Sequence, residues 1–255
     1  MNGTALLRSF NGIAGRIAPS LPARMARDLM LRPRARRAAT AAIGDARRVS
    51  FRFGLSGLRW GERGPVVLML HGWEGAAQQF RPLVAPLLAA GRQVIALDAP
   101  AHRGSPGDEA TLMGFARALG QVAVEVRDLE SVVGHSLGAA AVAIALSRGM
   151  DAQRAVLVAA LGLPAAAAAR FLALIERANG VAARDIEIAR LAADLRLPAL
   201  IVHDRQDRAV PFADAEAIAR AWPGARLLAT AGLGHSRVLG DPAVTAAIGA
   251  FLTAA

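Results

Sequence analysis

Five residues near the middle of the chain, Gly134-His135-Ser136-Leu137-Gly138, carry its strongest chemical signal. They follow the apolar run Ser131 to Val133 and precede the small-residue stretch Ala139 to Ala145, so they occupy a strand-to-helix turn. A turn this tight needs Gly on both sides of its apex, because the backbone bends sharply there. The apical side chain is held clear of the sheet. The following helix aims its first N–H groups at the place where negative charge develops during acyl transfer. Ser136 is thereby marked as a nucleophile.

A lone serine hydroxyl attacks poorly at neutral pH, so this reading demands a base and an orienting acid. The strand Ala199 to Val202 runs into His203-Asp204-Arg205-Gln206-Asp207-Arg208, and the strand Arg226 to Ala229 runs into Gly232-Leu233-Gly234-His235-Ser236. Both loops leave strand ends, as Ser136 does. His235, expected in a flexible loop, is the general base; Asp207 is the acid, with Asp204 as its alternate three residues earlier. The backbone N–H groups of Trp73, in His71-Gly72-Trp73-Glu74-Gly75, and of Leu137 would supply the oxyanion donors. Trp73 and His135 are the expected substrate contacts.

The elements that must position these groups alternate regularly. Val49, Phe51 and Phe53 alternate with polar residues ahead of Gly54, and Leu58 to Trp60 completes an opening hairpin. Strand-length apolar runs follow at Val66 to Leu70, Val94 to Leu97, Ser131 to Val133, Ala155 to Val158, Ala199 to Val202 and Arg226 to Ala229. The connecting helices are expected at Ala76 to Ala90, Ala110 to Val126, Ser136 to Arg148, Phe212 to Ala221 and Pro242 to Leu252. This is an α/β pattern with a mostly parallel sheet and helices on both faces. Residues 161–197 exceed an ordinary connection. They hold an Ala-rich stretch, the break Asn179-Gly180 and a second helical stretch from Ala183 to Leu195, which reads as a short helical cap or as sheet-covering helix.

Composition narrows the classes. Over 255 residues, 54% hydrophobic content with no Cys allows a large core and excludes a disulfide framework, a thiolate nucleophile and Cys-based metal sites. No metal or organic cofactor is called for. All 30 basic residues are Arg, and they are unevenly spread: residues 1–50 carry 10 Arg against Asp28 and Asp45, whereas the rest holds 20 Arg against 18 acids. Residues 1–47 therefore read as a basic arm on a domain spanning 48–255. A helix packed along the domain is its plain reading; an organelle transit peptide and peripheral contact with anionic membrane through that arm are the others. No secretory signal or transmembrane run is expected, which points to the cytoplasm. With Phe10 as its one aromatic, the arm offers no basis for nucleic-acid binding.

Over residues 48–255 these features resemble an α/β-hydrolase. The likeness rests on His71-Gly72-Trp73, on Asp98-Ala99-Pro100-Ala101-His102-Arg103-Gly104-Ser105, on the Ser136 turn and on the Asp207 and His235 loops. It implies a sheet of about eight strands and a serine hydrolase acting on a small-molecule ester or acyl substrate. Thioester, amide, polyester or lactone hydrolysis and acyl transfer use the same triad; a binding protein anchored by its arm is a further reading. Ser at position 136, where dehalogenases and epoxide hydrolases carry Asp, favours carboxylic esters. Ala101 and Arg103 stand where the family pattern often has Gly, which puts the path of that loop in question.

Overall fold

Runs of Val, Leu, Ile and Ala without polar alternation are stable as strands where both sheet faces are covered. The computed structural model describes residues 31–34, 45–162 and 176–254. Its sheet has eight strands: β1 (Arg47–Ser50), β2 (Ser56–Trp60), β3 (Val66–Leu70), β4 (Gln93–Asp98), β5 (Leu129–His135), β6 (Arg154–Val158), β7 (Ala199–Asp204) and β8 (Ala225–Thr230). Their order is β1-β2-β4-β3-β5-β6-β7-β8. Strand β2 is antiparallel to both its neighbours, and every other pairing is parallel. The expected mostly parallel α/β sheet is thus the observed one.

Successive side chains of one strand feed opposite cores. Leu68 and Leu70 of β3 join Ile95, Leu97, Val132, Leu157 and Ile201 beneath α2 (Leu112–Glu125), α3 (Leu137–Ser147) and α5 (Phe212–Ala221). Val67 and Met69 join Val94, Val133, Val156 and Val202 beneath α1 (Arg81–Ala89) and α7 (Pro242–Thr253). Helix α2 starts where the Thr111 hydroxyl accepts the Gly114 N–H at 2.9 Å, and α7 where Asp241 accepts those of Ala243 and Val244. The helix expected at Ala76 to Ala90 is split into a 3₁₀ turn, Ala77–Phe80, and α1, because Pro82 suits only a helix's first turn.

Helix α3 lies closest to the sheet. Its Ala139, Ala140, Ala141 and Ala143 are wholly buried, and a Cβ on Gly138 would collide with the carbonyl oxygens of Leu70 and His71. A Cβ on Gly134 would strike Ala139 and Gly138. Both clashes are with backbone, which cannot rotate away. Gly138→Ala is therefore expected to cost about 3 kcal/mol or more through overpacking, read as a large fall in the urea midpoint; an unchanged midpoint would refute the close approach.

Three segments depart from the expected pattern. Phe53, expected on a strand, has φ 59° inside the 3₁₀ turn Arg52–Gly54 and is 71% exposed. Within the cap region, 163–175 lies outside the described residues; the stretch expected from Ala183 to Leu195 is a 3₁₀ turn, Ala183–Ile186, followed by α4 (Ile188–Ala192). Ile186, Ile188 and Ala192 are buried in the same core as α3 and α5, so this half covers the sheet. Most of the basic arm also lies outside the described residues. Residues 31–34 do not: Leu31 and Pro33 are buried, the Leu31 carbonyl accepts from Ala110, and the Arg34 N–H donates to the Glu74 carboxylate at 3.1 Å.

Candidate active site

Because β3 to β8 run parallel, their carboxyl ends share one edge, and the loops leaving β3, β5, β7 and β8 meet there. Ser136 is the residue between β5 and α3. Its backbone has φ 56° and ψ −118°, a combination costly for any residue with a Cβ, and its N–H donates to the Val158 carbonyl at 2.8 Å. The strain keeps Oγ on the sheet edge, 3.0 Å from His235 Nε2. On the other side of the imidazole, Nδ1 is 2.7 Å from Asp207 Oδ2. The chain therefore brings Ser136, His235 and Asp207 into one line of hydrogen bonds.

Two loops hold the outer members of that line. Asp207 Oδ1 accepts the Ala209 N–H at 2.7 Å and the Val210 N–H at 3.0 Å. Burial works to raise its pKa, yet the hydrogen bond and charge of His235, with those two N–H groups, hold it below the usual carboxylate range. His235, expected in a flexible loop, sits in the single turn α6 (Gly234–Arg237). Arg237 fastens the turn by donating from Nε to Leu233 O at 2.9 Å and from Nη2 to Gly232 O at 2.7 Å.

Asp204 takes a different place from Asp207. Its Oδ2 accepts the Thr230 hydroxyl at 2.8 Å and the Leu233 N–H at 2.9 Å, and its Oδ1 accepts the Gln206 N–H at 3.0 Å. It ties the β7 and β8 loops together, while His235 Nδ1 is bonded to Asp207 and not to Asp204. Burial would raise its pKa; the N–H groups of Leu233 and Gly234, the Thr230 hydroxyl and the Gln206 N–H hold it below the usual range.

The β3 loop closes on Ser136 from the opposite side. A Cβ on Gly72 would lie 2.8 Å from Ser136 Cβ and 3.3 Å from its Oγ. Trp73 follows at once, half-buried, with its ring 6.1 Å from that of His102. Among the described residues the backbone N–H groups of Trp73 and Leu137 have no acceptor. The Asp98 loop places Ala101 at φ 63° and Arg103 at φ 48°, so both adopt the left-handed conformation that Gly favours.

His135, expected as a substrate contact, is instead packed under the His235 loop. Its Nε2–H donates to the His235 carbonyl at 3.0 Å, and its Nδ1 is buried without a partner among the described residues. Sequence reasoning missed this role because the acceptor is a backbone atom 100 residues away. It also missed His203, four residues before Asp207, whose Nε2–H donates to Val210 O at 3.1 Å and lies 3.4 Å from Asp207 Oδ2. No group of three or more His, Asp or Glu among the described residues is placed to hold a metal ion, and no described helix is long and apolar enough to cross a membrane.

Four histidines of the site edge are buried in neutral form. His71 donates from Nδ1 to Gly72 O at 2.7 Å and accepts at Nε2 from Ala99 N–H at 3.0 Å; His102 is bonded alike between Pro100 O and Glu74 N–H. Burial first, then the neighbouring His102, pushes His71 down to about 3. Burial and then His235 push His135 down to about 3. His102 and His203 are lowered as well, chiefly by burial. A histidine that stays neutral when folded yet takes a proton near 6.5 when unfolded destabilises the fold as pH falls below that value, with the loss growing down to the folded pKa. His71 and His135 should each remove about 1.4 kcal/mol by pH 5.5. Asp98 and Asp214, raised chiefly by burial, act in the opposite sense as they protonate. The urea midpoint is expected to fall between pH 7 and pH 5.5, and less so in His135→Asn. A flat profile would contradict neutral burial.

The model of the Alpha/beta hydrolase family matches residues 67–196, just over half the chain, and that of the TAP-like protein family matches residues 181–255. No curated protein sequence matches the chain. Among solved structures, a thermophilic esterase from the Planctomycetes species Thermogutta terrifontis is similar with TM-score 0.69 at 16% identity, covering 85% of this chain and 95% of its own. The thioesterase domain from the curacin biosynthetic pathway gives TM-score 0.66 at 17% identity, covering 83% of this chain and 100% of its own. A putative lipase from Acinetobacter baumannii gives 0.63 at 18%, covering 82% and 91%. These likenesses concern the fold, and together with the family match across β3 to α4 they lead to one conclusion: the chain belongs to the alpha/beta hydrolase family.

Proposed function

We propose that the chain is a serine hydrolase cleaving carboxylic esters through an acyl-enzyme on Ser136. The observation that carries this reading is the unbroken relay from Asp207 Oδ2 through His235 to Ser136 Oγ, with spacings of 2.7 Å and 3.0 Å. Ser136 Oγ attacks the ester carbonyl carbon while its proton passes to His235 Nε2. The carbonyl oxygen, now negative, is met by the N–H groups of Trp73 and Leu137, whose lack of other acceptors among the described residues supports that role. The carbon–oxygen bond to the leaving alcohol then breaks, and the alcohol takes the proton from Nε2. Water attacks the acyl-enzyme with His235 again as base, Ser136 Oγ recovers the proton, and the acid is released. Asp207 holds the imidazole with its proton on Nδ1, leaving Nε2 free to accept.

The test is covalent labelling. A fluorophosphonate probe is expected to attach to Ser136 alone, located by peptide mass spectrometry, and to abolish hydrolysis of p-nitrophenyl acetate in proportion. Labelling at another residue, or full labelling with undiminished turnover, would overturn the proposal.

A further inference from the structure

One cavity near the site is explained by none of the groups above. It has a volume of about 510 Å³ and lies between the β7 and β8 loops, lined by Gln206, Arg208, Gly232, Ser236 and Arg237 together with His235. Among the described residues two arginines, Arg208 and Arg237, line it and no acidic residue does. The acids nearest in sequence are engaged elsewhere: Asp207 by His235 and two backbone N–H groups, Asp204 by Thr230, Leu233 and Gln206. Arg237 uses Nε and Nη2 on the carbonyls of Leu233 and Gly232, which fixes its plane and leaves the N–H groups of Nη1 for a ligand. Arg208 is exposed and enters none of the ion pairs of the described residues. Arg205, in the same loop, is occupied differently, with its guanidinium 4.5 Å above the Phe212 ring. The Gln206 amide oxygen accepts the Gly232 N–H and holds the two walls together.

Position says which part of a substrate would reach this cavity. The leaving atom must lie against His235 to receive its proton, whereas the carbonyl oxygen faces Trp73 and Leu137 on the other side of Ser136. The cavity's lining includes His235 and none of Ser136, Trp73 and Leu137, which sets it beside the base that would protonate the leaving atom and apart from the two oxyanion donors.

We propose that this cavity binds an oxyanion carried by the leaving group, so that the preferred substrates are esters or thioesters of an alcohol or thiol bearing a carboxylate or a phosphate. The inference rests on the serine hydrolase reading and adds the substrate class. Charge-assisted hydrogen bonds from two guanidinium groups supply the discrimination, and exposure makes it salt-dependent.

The experiment compares kcat/KM for para-acetoxybenzoate and para-acetoxyphenyl phosphate with that for uncharged para-acetoxybenzamide. The wild-type ratio of charged to neutral substrate is expected to exceed one by about tenfold, with the larger of the two charged values identifying the oxyanion. The ratio is expected to fall about tenfold in Arg208→Gln, to drop below one in Arg208→Glu, to shrink at high ionic strength, and to hold in Arg205→Gln. Binding of para-hydroxybenzoate and phenyl phosphate to Ser136→Ala protein, followed by calorimetry, should weaken in Arg208→Glu whatever the chemistry. Equal ratios in wild type and Arg208→Glu, with unaltered anion binding, would overturn the inference. If the neutral ester is still cleaved at Ser136 in that case, the hydrolase reading stands alone; hydrolysis surviving Ser136→Ala would instead remove the reading itself.

Discussion

Ser136→Ala is expected to lower kcat/KM for p-nitrophenyl acetate by about 10⁵-fold while leaving the protein folded. In the proposed mechanism Oγ is the attacking atom, and the groups left behind can only bind substrate and polarise its carbonyl. The remaining rate, about 10³-fold above that in water, would come from the N–H groups of Trp73 and Leu137. Stability should change little. Alanine retains a Cβ and so inherits the strained φ 56°, ψ −118° backbone, and the lost hydroxyl leaves one side of His235 Nε2 without its 3.0 Å partner, a change of about 1 kcal/mol. Ser136→Gly provides the contrast, since removing the Cβ relieves the strain and should raise the urea midpoint at equal inactivity. Kinetics and denaturation on the three proteins decide the matter. A purified Ser136→Ala protein retaining more than a few per cent of wild-type turnover would exclude an acyl-enzyme at this position.

Legibility in the sequence divides along physical lines. Val66 to Leu70 was readable to the residue because a five-residue apolar run between Gly64-Pro65 and His71-Gly72 is too short for a buried helix and suits a doubly covered strand. The three members of the relay were readable as strand-end residues, since parallel strands put all their carboxyl ends on one edge, but nothing in the string sets a 2.7 Å or a 3.0 Å spacing. Alternation failed at Phe53. Its hydrophobicity continued the pattern of Val49 and Phe51, yet adjacent Gly54 at φ 73° lets the chain turn and leaves the ring in solvent. The stretch from Ala183 to Leu195 looked like one helix because propensity is summed over a window; in the fold Ile186 and Ile188 are both drawn into the core, and the helix breaks between them. His135 and His203 were opaque for another reason. Their rings bond to the carbonyls of His235 and Val210, and a backbone acceptor carries no trace of its use in the residue type.

Asp204 and Asp207 make the sharpest paired test, because they are three residues apart in one loop and both are held below the usual carboxylate range. Asp207→Asn is expected to reduce kcat by about 10⁴-fold. The direction follows from which atoms the new amide must satisfy. Oδ1 of Asp207 accepts two backbone N–H groups, from Ala209 and Val210, so the amide oxygen of an asparagine must take that side. Its NH₂ is then turned toward His235 Nδ1, 2.7 Å away in the native protein. A donor there demands an acceptor, so Nδ1 gives up its proton and the proton moves to Nε2, which can no longer receive one from Ser136. Asp204→Asn presents a different conflict. Gln206 N–H occupies one oxygen, while the Thr230 hydroxyl and Leu233 N–H occupy the other. An amide satisfies only one of these sides, leaving a buried donor facing a donor at a cost of about 1–3 kcal/mol, with turnover reduced about tenfold or less as the His235 turn loosens. The expected outcome is therefore crossed: a large kinetic loss with a small change in urea midpoint for Asp207→Asn, and the reverse for Asp204→Asn. A protein that loses its turnover through Asp204→Asn and keeps it through Asp207→Asn would move the orienting acid to the start of the loop and leave the relay drawn through Asp207 without a catalytic part.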